Sequence, residues 1–397
     1  MFKNIVSFTI IFFLIYDMNF QFMPYVTTGR IAFLYLLLTN FQSLKLLVKE
    51  YKNFLLIMFF LLFISLIQSI FSHDSTQSLR FFYFIIYVLI CPLLLAYRIN
   101  NFEKTSRFFL IAISFQSLIL IYAFFNPSFK TVLETYIIYG GNFGVEDLYR
   151  SFGLSSSSGA ALSLIQGLGT GIGFYILYSD KSRWKWLTIF LTVLCFFSTL
   201  FVGRTGLLVS FIFLSVYLMF SLKFINLFKY ILIISLVSYF SFGDLLESNL
   251  NSIEGFKTDF FLRWISEGFD VQDNKTVDAL LYKQPVPELT LQTLVIGTGT
   301  ISENGVNTSG HDSGYIQTYY SLGLILTFLF YFSFFFYLKK NFTSLNIKLI
   351  YFLIILIFLL EMKEPFLFKY AEGFIIMSFL FSLKFSPVKN NKSLNFK

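Results

Sequence analysis

The sequence predicts an all-α integral membrane protein of about twelve transmembrane helices. Of its 397 residues, 56% are hydrophobic and only 13% are charged, whereas soluble domains carry about 25% charged residues. Apolar runs recur along the whole chain, and small basic groups recur between them. A surface so poor in charge cannot face water on all sides, so we expect it to face lipid.

A membrane helix needs about 20 mostly apolar residues. Runs near this length predict twelve spans: Ile5–Phe22, Ile31–Leu47, Phe54–Phe71, Phe81–Tyr97, Phe108–Phe125, Ser156–Tyr178, Trp186–Val202, Thr205–Leu222, Leu227–Phe242, Ser313–Leu338, Ile347–Leu360 and Phe366–Leu383. The second and eleventh are short, which is also compatible with tilted or partly re-entrant segments. The first run lacks a small-x-small cleavage site, so we interpret it as a retained helix rather than a signal peptide.

The basic residues predict the orientation of these spans. Nineteen lie in one set of connecting segments, and the short segments of the other set hold six: Arg30, Arg80, Lys130, Arg150, Arg204 and Lys363. Basic residues favour the cytoplasmic side, so both termini are predicted to be cytoplasmic. The net charge of +8 then reflects topology, and no nucleic-acid partner is expected.

The chain divides into three parts. Residues 1–242 hold helices one to nine, residues 243–312 form a large outer loop, and residues 313–397 hold helices ten to twelve and a basic tail. Within the loop, apolar residues at helical spacing predict an amphipathic helix, either on the outer leaflet or packed on its own loop. Alternate glycines from Gly167 to Gly173 predict close helix packing. Two cysteines and two histidines argue against a disulfide framework or a multi-histidine metal site.

Arg204 is the strongest candidate for a binding residue. It lies in Val-Gly-Arg-Thr-Gly, a short turn between two apolar runs, where an ionisable group is costly and is by default a functional candidate. A guanidinium at a helix start can hold phosphate through a bidentate fork beside unpaired N–H groups. The alternative is an interfacial arginine whose side chain reaches back to water.

His311 is the second candidate, at the junction of the outer loop and the tenth span. It could take a proton from a sugar hydroxyl or donate a hydrogen bond to phosphate, and Asp312 and Tyr315 are neighbours that could support it. The alternative is a solvated loop histidine. Lys369 and Glu372 lie three residues apart in the last span, where a structural ion pair or a polar cavity about two turns deep is expected.

Several residues on the predicted outer side are weaker candidates for a binding role. Arg150 precedes a serine-rich stretch that opens the sixth span, and Arg263 lies beside Trp264 in the large loop. Arg30, Arg80 and Asp17 are close to predicted outer helix ends, where anchoring at the interface is the simpler interpretation.

Three stretches carry a resemblance to a known family. They are Phe201-Val-Gly-Arg-Thr-Gly-Leu-Leu, then Arg263-Trp264 with Val295-Ile-Gly-Thr-Gly, and finally Gly310-His-Asp-Ser-Gly-Tyr-Ile-Gln-Thr-Tyr-Tyr-Ser-Leu-Gly-Leu. In these motifs, their order and the helix count, the chain resembles the O-antigen polymerase and ligase superfamily. In one respect it departs from some polymerases, because Ala161 stands where they have a glycine eleven positions after the loop arginine.

The resemblance implies a metal-independent glycosyltransferase without a cofactor. Such an enzyme would transfer a glycan from undecaprenyl diphosphate to an acceptor hydroxyl at the periplasmic face of the bacterial inner membrane. The family's diphosphate-binding role falls on Arg204, Arg263 and Arg150, with His311 near the acceptor and catalysis assigned to His311 and Arg204. Tyr315, Asp312, Glu372 and Lys369 are possible supporting residues. A chain-length regulator is a possible membrane partner.

A polymerase of lipid-linked repeat units is the first hypothesis. The alternatives are a ligase that transfers the glycan to the lipid A core, a flippase for the same lipid-linked unit, and a non-enzymatic scaffold or chain-length regulator. Flippases tend to have two similar halves and charges deep in a central cavity, whereas here the charges gather on one predicted face.

Overall fold

The computed structural model describes residues 2–139, 151–157, 159–179, 184–221, 286–303, 306–342 and 347–386. Within these ranges the chain is mostly helical, and the two strands, Ser302–Glu303 (β1) and Val306–Asn307 (β2), pair in one antiparallel ladder. The predicted ninth span and the predicted amphipathic helix of the large loop lie outside the described residues, as do Arg150 and Arg263.

The described residues 2–139 form seven α-helices. They are α1 (Phe2–Tyr16), α2 (Thr28–Asn40), α3 (Leu44–Ser72), α4 (Thr76–Tyr83), α5 (Cys91–Ile99), α6 (Phe102–Phe125) and α7 (Pro127–Tyr136). A π-helical segment, Phe84–Ile90, joins α4 to α5, so the two form one continuous rod. Pro127 opens α7, and the Asn126 side chain accepts a hydrogen bond from Phe129 N at 3.1 Å to cap it.

The second half adds the helices that surround the candidate site. They are α8 (Gly159–Ser179), α9 (Lys185–Leu200), α10 (Arg204–Ser221), α11 (Leu291–Val295), α12 (Gly314–Leu322), α13 (Leu324–Phe342), α14 (Ile347–Lys363) and α15 (Tyr370–Phe385). A 3₁₀ turn, Phe366–Phe368, connects α14 to α15.

Among the described residues, four helical stretches are long and apolar enough to cross a membrane: Val48–Ser72, Thr76–Ile99, Phe102–Phe125 and Gly159–Ser179. On α3, large apolar side chains such as Phe59, Phe63 and Phe71 are exposed, although burial of such groups is strongly favoured in water. These features are those of a helical membrane protein.

The glycines of α8 allow the close helix packing that the sequence predicts. A Cβ atom on Gly167 would lie 2.7 Å from the carbonyl oxygen of Gly206 on α10, and one on Gly171 would lie 2.6 Å from the Phe213 ring. The neighbouring α6, α9 and α10 all contact α8. The prediction of close packing is therefore confirmed, and α8 lies at the centre of this part of the bundle.

The tenth predicted span is not one helix. It divides into α12 and α13 at Gly323, whose φ of 94° and ψ of 151° are not helical. The segment after α11 fills the break: a Cβ atom on Gly323 would lie 2.7 Å from Val295 O and 2.8 Å from Gly297 N. The expectation of a continuous helix over Ser313–Leu338 is therefore wrong, because backbone from a distant part of the chain packs into it.

The first and last predicted spans are shorter than expected. The helix α1 ends at Tyr16, and Asp17 takes a left-handed φ of 37°. At the other end of the chain, α15 begins at Tyr370 rather than at Phe366. Lys369 therefore precedes the helix, and Glu372 lies in its first turn rather than two turns deep.

The helices bring the charged residues to opposite ends of the bundle. One end, which we call the polar end, carries Asp17, Arg80, Arg204, His311 and Lys369. At the opposite end, the Lys384 Nζ contacts Glu50 Oε2 at 2.7 Å, and the Arg98 guanidinium donates to the Tyr35 hydroxyl at 3.2 Å. This separation agrees with the alternation of spans that the sequence predicts.

Candidate functional site

Arg204 is the first residue of α10, as the turn motif predicts. Its turn packs against the start of α8, where Gly206 N donates to Ser163 Oγ at 3.1 Å. Ser151 N donates to Phe201 O at 3.1 Å on the other side of the turn. Arg204 itself is half-buried. The fold therefore holds this guanidinium at a helix start, between two tightly packed helices.

A second cation lies beside Arg204. Lys363, in the last turn of α14, donates from Nζ to Thr205 Oγ1 at 2.6 Å. Because Thr205 follows Arg204 directly, the structure brings together two basic residues that are 159 positions apart in the sequence. The sequence identified Lys363 only as a basic residue of an outer turn, and nothing in its local pattern indicates this partner.

Lys369 lies close enough to Lys363 to interact with it electrostatically, and its ion-pair partner differs from the predicted one. Its Nζ forms an ion pair with Glu364 rather than with Glu372. The expected ion pair between Lys369 and Glu372 within one helix is therefore wrong, because Lys369 precedes α15. We call Arg204, Lys363 and Lys369 the cation cluster.

Glu372 is buried in the first turn of α15, with 1% of its surface exposed. Its Oε1 atom makes no hydrogen bond among the described residues. The two other buried carboxyl groups in the described ranges are both bonded through each oxygen. Asp17 accepts from Gly29 N and Tyr370 Oη, and Glu361 accepts from Tyr331 Oη and Leu367 N.

His311 is buried, with 6% of its surface exposed, and is not the solvated loop residue of the alternative interpretation. Ser313 N donates to His311 Nδ1 at 3.0 Å, so the neutral ring carries its proton on Nε2. Its carbonyl oxygen accepts hydrogen bonds from Asn307 Nδ2 and Gln317 Nε2. In this tautomer the Nε2–H group of His311 can donate a hydrogen bond to an anion. The Nδ1 lone pair already accepts the hydrogen bond from Ser313 N.

Arg80 is a residue that the sequence interpretation placed wrongly. Instead of anchoring a helix at the interface, its guanidinium points into the bundle, where Nη2 donates to Gln317 Oε1 at 3.1 Å. It also lies over the Phe368 ring at 5.8 Å, and its buried Nη1 makes no hydrogen bond among the described residues. Since Gln317 also holds the His311 carbonyl, Arg80 and His311 are joined through one amide.

Tyr315 and Asp312 differ in their surroundings. The Tyr315 hydroxyl donates to Phe358 O at 2.9 Å and its ring packs at 4.8 Å from that of Tyr331, so it joins α12 to α14. Asp312 is exposed, and its carbonyl oxygen accepts from Gln317 Nε2 at 3.1 Å. Tyr315 therefore supports the position of α12 within the bundle.

The loop that carries His311 is fixed to the ends of α3 and α4. Ile301 N and Ser302 N donate to Asp74 Oδ2 at 2.7 and 3.2 Å, and Thr76 N donates to Oδ1 at 2.8 Å. Burial opposes ionisation of Asp74, but these hydrogen bonds outweigh it and lower its pKa. The carboxylate thus holds the segment before His311 in place.

A polar cavity of about 510 Å³ opens between the ends of α1, α2, α8 and α15. Eight of the eleven residues in its wall are polar or charged, while apolar atoms form the larger part of the wall surface. These residues are Asp17, Asn19, Thr27, Arg30, Ile138, Ser156, Ser157, Ala160, Ala161, Lys369 and Tyr370. Asp17 is buried here and bridges α1, α2 and α15, so the interfacial role expected for it is wrong. Lys369 belongs to both this cavity and the cation cluster.

A separate apolar groove of about 340 Å³ runs between α8, α10, α14 and α15. Phe213 and Tyr217 of α10, Phe352 of α14, and Ile376 and Phe379 of α15 are part of its wall. Phe213 lies nine residues after Arg204, a distance of about 14 Å along a helix at 1.5 Å per residue. The groove therefore begins about 14 Å along α10 from Arg204 and extends toward the opposite end of the bundle, where Tyr178, Met219 and Lys348 are part of its wall.

No family model, curated protein or solved structure matches the chain. Among the residues that the structure describes, no group of three His, Cys, Asp or Glu side chains could hold a metal ion. What the polar end offers chemically is fixed positive charge, hydrogen-bond donors and a buried carboxyl group. Such an arrangement suits an anionic group that leaves or is transferred.

Proposed function

We propose that the chain is a glycosyltransferase that polymerises oligosaccharide repeat units carried on undecaprenyl diphosphate. The observation that carries the proposal is the shared geometry of α10, α14 and the segment entering α15. Each brings a cation to the polar end, and each helix contributes apolar side chains to the groove below. A long-chain isoprenoid diphosphate has the matching form, with a charged head and an apolar tail.

Arg204, Lys363 and Lys369 would hold the diphosphate, and the groove would hold isoprene units further along the tail, toward the opposite end of the bundle. Fixed cations that bind the leaving diphosphate more tightly as the glycosidic bond breaks would lower the barrier. In the reaction, the bond between the sugar anomeric carbon and the diphosphate oxygen breaks, and the acceptor hydroxyl oxygen forms a new bond to that carbon. Arg150 and Arg263, which the resemblance also assigns to the diphosphate, lie outside the described residues.

The hydroxyl proton needs an acceptor, and we assign this role to Glu372. Its Oε1 has no hydrogen-bond partner within the described ranges, whereas the Nδ1 lone pair of His311 is occupied by Ser313 N. His311 would instead donate from Nε2 to the transferred group. Arg80, joined to His311 through Gln317, would keep that donor in position.

The proposal includes a topology of twelve spans in the bacterial inner membrane, with both termini cytoplasmic and the polar end facing the periplasm. A chain-length regulator is a possible partner in the membrane. The ligase alternative shares the donor and differs in the acceptor. A flippase alternative is less favoured because the charges cluster at one end of the bundle rather than in a central path.

We expect Arg204→Ala to abolish polymer formation without lowering the amount of protein in the membrane. Loss of hydrogen bonds to a charged group costs roughly 1.5–3 kcal/mol, so binding of undecaprenyl diphosphate should weaken roughly tenfold or more. Arg204→Lys should also be defective, because lysine cannot form the bidentate fork. Polymer is measured on gels of lipopolysaccharide.

Glu372→Gln tests the proton acceptor. It should keep binding of undecaprenyl diphosphate but lose polymer.

The matched control is Arg98→Ala, which removes an arginine from the opposite end of the bundle and should leave polymer length unchanged. Deletion of the gene distinguishes the polymerase hypothesis from the ligase alternative. Core with a single repeat unit indicates a lost polymerase, whereas bare core with polymer on the lipid carrier indicates a lost ligase. Normal long-chain polymer in Arg204→Ala would reject the site assignment.

A further inference from the structure

The polar cavity is a second site beside the cation cluster, and its walls are held rigidly. Arg30 Nη1 donates to Tyr25 O at 2.7 Å, and Ser156 Oγ donates to Asp17 O at 2.7 Å. The Tyr370 hydroxyl donates to Asp17 Oδ2 at 3.1 Å. Because these side chains are already fixed by the protein, a ligand would lose little binding free energy to ordering them.

The charges of the cavity disfavour a polyanion. Its wall contains Arg30 and Lys369 but also the buried carboxyl group of Asp17, and Lys369 is paired with Glu364. A diphosphate in the cavity would lie against the buried Asp17 carboxyl group, and neither Arg204 nor Lys363 of the cation cluster is part of this wall. A ligand without charge, rich in hydrogen-bond donors and acceptors, suits this wall better.

Hydrogen-bonding capacity remains where the cavity meets α1. The Asn19 side-chain oxygen is buried and makes no hydrogen bond among the described residues, although burial of an unpaired polar atom is costly. Ser157 and Asn19, with a hydroxyl and an amide group, and Tyr370, with an aromatic ring, all belong to the wall. Sugar rings present hydroxyl edges and apolar faces, which match this combination. The volume of about 510 Å³ lies within the usual range for small-ligand sites, about 300–1,000 Å³.

The cavity adjoins the cation cluster through two connections. Lys369 takes part in both. In addition, Ala160 and Ala161 line the cavity from the first turn of α8, and Ser163 in the next turn bonds the start of α10 behind Arg204. A group bound in the cavity would therefore lie next to a diphosphate held by the cluster.

We propose that this cavity binds the sugar residues of the lipid-linked glycan. The inference rests on the proposed function, since it assumes that the cluster holds a lipid diphosphate. It goes beyond that function by placing the glycan between the ends of α1 and α2 and the start of α8. Asn19 and Ser157 supply hydrogen bonds, Tyr370 supplies an apolar face, and Ala161 leaves space for the ring.

The test measures binding of two probes to the purified full chain in lipid nanodiscs. One is synthetic undecaprenyl diphosphate without sugar. The other is the lipid-linked oligosaccharide extracted from the source strain after deletion of the gene. The variants are Asn19→Ala, which removes the unpaired amide, and Ala161→Phe, which fills the cavity. Asn40→Ala, at the opposite end of α2, is the matched control.

We expect the wild-type chain to bind the oligosaccharide lipid more tightly than the sugar-free lipid. Asn19→Ala and Ala161→Phe should weaken binding of the oligosaccharide lipid by about tenfold and leave the sugar-free lipid unaffected. Arg204→Ala should weaken both, and Asn40→Ala neither.

Each other result overturns a specific statement. Equal binding of both lipids by the wild-type chain, or unchanged binding in both cavity variants, overturns the glycan site. Equal weakening of the binding of both lipids in the cavity variants would show that the cavity holds the diphosphate instead. That result also overturns the glycan site. Failure of the wild-type chain to bind either lipid overturns the proposed function itself.

Discussion

Individual side chains at the polar end differ in how far the sequence could predict them. Arg204 was predictable, because Val-Gly-Arg-Thr-Gly between two apolar runs signals a turn followed by a helix start. The inward direction of Arg80 was not, because it depends on Gln317, which lies 237 positions away. The burial of His311 has a different, local cause: Asn307 and Gln317, four and six positions away, both donate to its carbonyl oxygen.

Asp74 makes the loop before His311 sensitive to pH. Its folded pKa is lowered by hydrogen bonds from Ile301, Thr76 and Ser302, so it contributes stability above its unfolded pKa of about 4. This contribution is lost as the pH falls through the lower folded pKa. We expect the Ile301 amide hydrogen to exchange faster as the pH is lowered below about 4, relative to its intrinsic rate. Hydrogen exchange of the 286–303 segment measures this.

The matched variant is Asp74→Asn, which keeps the size of the side chain but removes its titration. It should exchange faster at neutral pH and lose the acid-dependent step. If Asp74→Asn retains the same step, another group is responsible for the pH dependence.

At the scale of elements, the Gly-Thr-Gly motif has a structural role. Thr298 N and Gly299 N donate to Tyr320 O and Ser321 O at 2.9 Å each, alongside the break at Gly323. Gln68 Nε2 also donates to Ile296 O, joining α3 to the same segment. The motif therefore sets the position of α12, which begins three residues after His311.

Gly297→Ala should destabilise this junction strongly. Gly297 has a φ of 68°, and a Cβ atom there would lie 2.5 Å from Ser321 O, so backbone would have to move. The left-handed conformation alone costs an L-residue roughly 1–2 kcal/mol, and the clash adds to this. We expect a lower melting temperature in detergent and loss of polymer.

Gly310→Ala is the control for this variant, because Gly310 has a φ of 63° but no atom within 4 Å of a Cβ position. Gly310→Ala should therefore lose only the stability that the left-handed backbone conformation costs, without any clash. Equal losses of stability in the two variants would mean that the close approach of Gly297 to α12 contributes nothing.

Helix positions were largely predictable from hydropathy, whereas their interruptions were not. Every predicted span within the described residues overlaps a helix, because runs of apolar residues are required for burial in lipid. The break at Gly323 was missed because Ser-Leu-Gly-Leu remains apolar, and one glycine does not interrupt a hydropathy window. The displaced start of α15 depends on Glu361, which accepts from Leu367 N at 2.9 Å.

For the whole molecule, the distribution of basic residues gave the strongest prediction. The structure places Arg98 and Lys384 at one end, and Arg204 and His311 at the other, as the alternation of spans requires. The assignment of these ends to membrane sides is part of the proposal. It depends on the rule that basic residues remain in the cytoplasm.

Cysteine labelling in intact cells tests that assignment. Ser157→Cys, in the polar cavity, should react with a membrane-impermeant maleimide applied from the periplasm, whereas Lys340→Cys should react only after the membrane is opened. Cys91 and Cys195 are both buried, so little background is expected. The reverse pattern of reactivity would invert the topology and place the candidate site in the cytoplasm.

The direction of the helices has a further electrostatic effect on the polar end. The helices α8, α10 and α15 begin there, and a helix start carries the equivalent of about half a positive charge from its aligned peptide dipoles. The helix α14 ends there, and Lys363 in its last turn offsets the opposite partial charge. The helices α1, α3, α6 and α9 also end on this side, so the effect is local: an anion at the first turn of α10, beside Arg204, would be attracted by that helix start as well as by side chains. Some attraction should persist when any single cation is removed.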